Sequence, residues 1–130
     1  MLEQRGLHWQ DLYENFVNKF NIIDTLRKDN SVPLDELTES YAILFNATCK
    51  MLKVYLANKG LFQRTYDRIL KICYQTGIID NGQDWVNALF LIEHIARVDA
   101  KDMVKLYCQD EFFQIYVDLK NKMEGMLSDE

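Results

Sequence analysis

From Leu37 to Leu56, side chains of the kind that fill cores recur at steps of three and four: Leu37, Tyr41, Leu44, Phe45, Thr48, Leu52, Tyr55 and Leu56. A helix turns about 100° per residue, so this spacing gathers them into one stripe that must be covered by other elements. The stripe follows Pro33, whose fixed φ and missing N–H suit a first helical turn, and Asp35 and Glu36, acids where the helix dipole favours them. Gly60 stands where left-handed geometry closes a helix. A long amphipathic helix in the first half of the chain therefore sets the architecture.

The flanking segments repeat the pattern. Trp9, Leu12, Tyr13, Phe16, Phe20, Ile23 and Leu26 mark a first helix from about Leu7 to Lys28, ended by Asp29-Asn30-Ser31. Tyr66, Ile69, Leu70 and Cys73 mark a third, roughly Gln63 to Gln75, stopped by Gly77. Ile78-Ile79-Asp80-Asn81-Gly82 reads as a turn pinned to the core by its isoleucines. A fourth helix, about Gln83 to Val98, is apolar almost all round, which predicts burial on most sides; Asn87, Glu93, His94 and Arg97 share its remaining arc with Phe90. Asp99 looks like a new N-cap, with Val98 and Met103 as a hydrophobic staple, and the register shifts again near Asp110 to Phe113, Tyr116, Leu119 and Met123. With one proline and five glycines in 130 residues, an all-β domain is excluded. Short connections between long helices predict one all-α domain: an antiparallel up-and-down bundle of four main helices plus a short extra one.

Composition narrows function. A net charge of −5 argues against a broad nucleic-acid surface. No apolar run approaches a membrane span, and Met1 to Gly6 has no signal-peptide core, so a cytoplasmic protein without membrane contact is expected. Cys49, Cys73 and Cys108 are far apart with no Cys-x-x-Cys spacing, and read as reduced thiols packed as small hydrophobes. No metal site or cofactor is expected: only His8 and His94 are available as imidazole ligands, and there is no glycine-rich phosphate loop.

Lys50-Met51-Leu52-Lys53-Val54-Tyr55-Leu56, then Gly60, then Gly77-Ile78-Ile79-Asp80, then Trp85, form an ordered series. It resembles the nucleotidyltransferase substrate-binding proteins, helical bundles of the HEPN superfamily, over about Tyr41 to Tyr107. The resemblance implies a bundle like the helical C-terminal domain of aminoglycoside nucleotidyltransferases. It also implies dimerisation, and pairing with a separate minimal nucleotidyltransferase chain that supplies the chemistry. Related HEPN proteins are ribonuclease toxins that use an Arg and, after four to six intervening residues, a His. Here the family's Trp before the first Lys is Cys49, and a common upstream Glu is replaced near Asn46. The Arg-Asn…His-x-Tyr signature, aligned from Trp85, falls on Ile92, Glu93, Arg97 and Asp99. The implied function is a non-catalytic substrate-binding partner, with a divergent metal-independent ribonuclease as the alternative.

The candidate substrate or nucleotide contacts are Lys50, Lys53, Asn87, Glu93, His94 and Arg97. Arg97 offers a planar fork for an anion and His94 a proton shuttle; the plainer reading is a Glu93–Arg97 ion pair with His94 bonded locally. A small-molecule cleft beside Phe90 and Asn87 is a third possibility. Lys50 and Lys53, with Lys59, Arg64, Arg68 and Lys71, make either a local basic face for a nucleotide or acidic partner, or a solvated surface. Tyr13, Phe62 and Phe112 are left for a dimer or partner surface.

Overall fold

A computed structural model describes residues 8–29, 31–94 and 110–128, without the side chains of Leu34, Asp110, Glu111 and Phe112. The described residues form five helices and no strand: α1 (Trp9–Leu26), α2 (Leu34–Asn58), α3 (Tyr66–Gln75), α4 (Gly82–Glu93) and α5 (Asp110–Ser128). The protein is an all-α helical bundle. The segment that held the expected Asp99 helix lies outside the described residues.

The stripes become the core. Trp9, Phe16, Phe20 and Ile23 of α1 are buried, as are Tyr41, Leu44, Phe45, Thr48, Leu52, Tyr55 and Leu56 of α2. Phe113, Tyr116, Leu119 and Met123 of α5 join them. The start of α1 meets the end of α2, where the Trp9 N–H donates to Asn58 Oδ1 at 3.0 Å. It also meets the end of α5, where the Tyr13 hydroxyl donates to Glu124 Oε1 at 3.3 Å. Further along, Phe20 packs on Phe113 with ring centroids 4.8 Å apart. Helix α1 thus runs antiparallel to both α2 and α5. Tyr13 is consequently no spare surface aromatic: it is half-buried and edge-on to Trp9 at 6.1 Å.

Two glycines shape the middle of the chain. Gly60 and Gly77 have φ of +82° and +84°, a left-handed conformation that costs a residue with a Cβ. After α2, the Gly60 N–H bonds Ala57 O and the Leu61 N–H bonds Leu56 O; after α3, the Gly77 N–H bonds Tyr74 O and the Ile78 N–H bonds Cys73 O. Both are Schellman closures, and each turns an apolar residue back onto the last helical turn.

Four sequence expectations need correction. Pro33 sits at the N-cap with ψ 145°, so α2 begins at Leu34, one residue inside it. Helix α3 starts at Tyr66 with Thr65 as N-cap, not near Gln63, because the chain leaves the Gly60 turn extended. Helix α4 ends at Glu93 rather than Val98. Nor is α4 buried on most sides. Trp85, Ala88 and Leu91 face the core, while Val86 is 54% and Phe90 47% exposed. A twelve-residue helix resting on one side of a bundle buries one arc, whatever lies on the other.

Candidate functional site

Of the six candidate residues, Asn87, Glu93 and His94 stand on α4 or at its end, Lys50 and Lys53 on α2, and Arg97 lies outside the described residues. Asn87 Oδ1 accepts from Gln83 Nε2 at 3.0 Å, a pair one turn apart on the helix surface. Glu93 is exposed. His94 closes the helix: its N–H lies 3.2 Å from Phe90 O, and ring Nδ1 lies 2.8 Å from the same oxygen. A carbonyl only accepts, so Nδ1 carries the proton of this contact. The ring also stacks on Phe90, centroids 4.2 Å apart and 33° between planes. These contacts match the plainer of the two readings of His94.

Lys50 and Lys53 lie on another surface. At 100° per residue they share an outer row of α2 with Glu39, Ile43, Asn46 and Ala57. Phe45, which meets Trp85 of α4 at 6.4 Å, belongs to the buried side of α2. The two lysines and the α4 polar arc therefore do not converge on one cleft. On the lysine row, Asn46 Oδ1 accepts from the Tyr66 hydroxyl at 3.0 Å, which anchors the first turn of α3 beside that row.

Trp85 is the centre of the assembly. It is fully buried and touches Phe45 of α2 and Tyr116 of α5. Beside it a shallow open cleft of about 10 Å³, room for about one water, runs between the Ile78–Asn81 turn and α5. Small-molecule sites usually enclose several hundred Å³ or more. Lys122 ties the rim together, donating to Gly77 O at 2.8 Å and to Asp80 Oδ2 at 2.9 Å. The Trp85 indole N–H has no acceptor among the described residues. Phe90, beside which the sequence placed a cleft with Asn87, is half exposed on α4, and a cleft among the described residues lies beside Trp85. The Gly77-Ile78-Ile79-Asp80 turn was its signal, but Lys122, forty-two residues beyond Asp80, had none.

Cys49 and Cys73 are free and buried. Burial raises both thiols, that of Cys49 further with help from neighbouring Cys73, and that of Cys73 to about 12. Neither suits nucleophilic work at neutral pH, which needs a lowered thiol. Cys108 lies outside the described residues. No three His, Cys, Asp or Glu side chains cluster as metal ligands among the described residues, and no described helix is long and apolar enough to cross a membrane. Compared with protein-family models and with curated proteins, the chain matches none.

Proposed function

We propose that the chain is a non-catalytic helical module, acting as a homodimer, that pairs with a separate minimal nucleotidyltransferase chain and helps bind its substrate. The observation that carries the module reading is the outer arc of α4. Val86 and Phe90, one turn apart and each about half exposed, form an apolar strip bordered by Gln83, Asn87, Glu93 and His94. An aromatic–aliphatic strip inside a polar rim suits a protein contact better than it suits water.

The identity of the partner rests on the resemblance of the Lys50 to Trp85 series. Its spacing has a physical use in this fold: the glycines close helices at positive φ, the isoleucines anchor a turn, and Trp85 fills the centre. Co-expression with the protein encoded by the neighbouring reading frame, followed by size-exclusion chromatography with light scattering, tests the reading. A complex containing a minimal nucleotidyltransferase is expected, weakened by Val86→Asp and Phe90→Asp. A neighbour of another class, together with a monomeric chain that captures nothing, ends it.

A further inference from the structure

The charge of this chain is divided unevenly. Between Tyr41 and Ile79 stand six cations, Lys50, Lys53, Lys59, Arg64, Arg68 and Lys71, and one carboxylate, Asp67. The remainder of the chain holds nine cations against nineteen acids. All six cations are exposed, and none forms an ion pair with a described residue.

The fold brings them together. Helix α2 ends at Asn58, yet α3 begins beside Asn46, about 18 Å back along α2 at 1.5 Å per residue. The connector 59–65 must therefore return alongside α2, next to the row that carries Lys50 and Lys53. Phe62 sits in that connector, between Lys59 and Arg64, and is 75% exposed, the most exposed large apolar side chain among the described residues. Beyond it, Arg68 and Lys71 lie on the arc of α3 opposite buried Ile69, Leu70 and Cys73. The acids at the start of α2 are distant: Glu39 is about 16 Å from Lys50 along the axis, past the screening length of about 10 Å at 0.1 M salt.

We propose that this face, the second half of α2 with the returning connector and α3, binds single-stranded nucleic acid, its cations holding phosphates and Phe62 stacking on a base. A basic surface with an exposed aromatic ring is how single strands are held without sequence readout. An acidic protein is the less fitting occupant. Lysine is depleted in protein interfaces, and four of the six cations here are lysines, with Leu61, Phe62 and Tyr74 exposed among them. The site does not depend on the α4 strip, so it stands or falls apart from the nucleotidyltransferase pairing.

Fluorescence anisotropy of the intact chain with a labelled oligouridylate of about twelve nucleotides tests this, over roughly 50 to 200 mM salt. Binding that falls steeply with salt is expected. Lys50→Gln with Lys53→Gln should flatten the log–log salt slope by about 1.4, at 0.7 per lost phosphate contact. Phe62→Ala should weaken binding about tenfold with the slope kept. All three side chains are exposed, and unchanged circular dichroism verifies the fold. No binding at the lowest salt overturns the proposal, as does binding insensitive to these variants. Equal binding of a duplex or of polyglutamate, indifferent to Phe62, overturns it in favour of a generic polyanion surface. Equal competition by a uridine mononucleotide does so in favour of a single-phosphate site.

Discussion

Trp85 meets Tyr116 edge to face, ring centroids 4.9 Å apart and 69° between planes, with both side chains buried. Through this contact α4 is fixed to α5, and through Phe45 the same indole is fixed to α2. Trp85→Ala leaves a void where three helices converge, so a loss of about 3–5 kcal/mol is expected. Trp85→Phe keeps a ring and deletes an N–H that has no acceptor among the described residues, and should cost clearly less. Urea denaturation followed by circular dichroism measures both; equal losses would show that Trp85 is not the keystone described.

The helix closures at Gly60 and Gly77 respond to substitution for conformational reasons alone. A Cβ at either position meets no atom within 4 Å, so there is no clash to relieve. Ala at each site should cost about 1–2 kcal/mol through the left-handed backbone. Asn, which tolerates that region better, should cost less than Ala. Thermal unfolding of the four variants tests the order.

The Lys122 latch is a modest contributor. Its ammonium bonds the Gly77 carbonyl and the Asp80 carboxylate, but Asp80 is three-quarters exposed. Lys122→Met should lower stability by no more than about 1 kcal/mol, and less at high salt. A loss of several kcal/mol would show that the turn depends on the latch rather than on its buried isoleucines.

Alkaline pH should destabilise the fold. The Cys73 thiol is raised from 9.0 to about 12 by burial, and the Tyr13 hydroxyl from 10.0 to about 12, by burial first and then by the charge and hydrogen bond of Glu124. The unfolded chain therefore loses these protons before the folded one does. Their contribution is complete below about pH 9 and is lost as pH climbs toward 12. Urea midpoints should hold steady to about pH 9 and then fall, and Tyr13→Phe should flatten the part of the fall above pH 10.

Thiol chemistry gives an independent check on burial. In a Cys108→Ser background, an aromatic disulfide reagent at neutral pH should modify Cys49 and Cys73 only through unfolding, with a rate that climbs with urea. Rapid native-state modification would contradict their placement.

Much of this fold is legible along the chain because helical order is a local property. The stripes of α1, α2 and α5, the closures at Gly60 and Gly77, and the anchored Ile78–Ile79 turn follow from three- and four-residue spacing and from a backbone geometry that favours glycine. Which arc of an apolar helix is covered is not local. The composition of α4 predicted burial on most sides, yet Val86 and Phe90 face outward, because among the described residues neighbours distant in sequence cover only the Trp85 side. The candidate site divides in the same way. His94 bonds within its own helix turn, at a range sequence can address. The separation of Lys50 and Lys53 from the α4 arc depends on how α4 lies against α2. So does the gathering of six cations around Phe62, which requires the connector to double back to Asn46. Spacing along one chain determined which residues this protein buries in α1, α2 and α5; the packing of helices against one another decided which residues it leaves facing outward together.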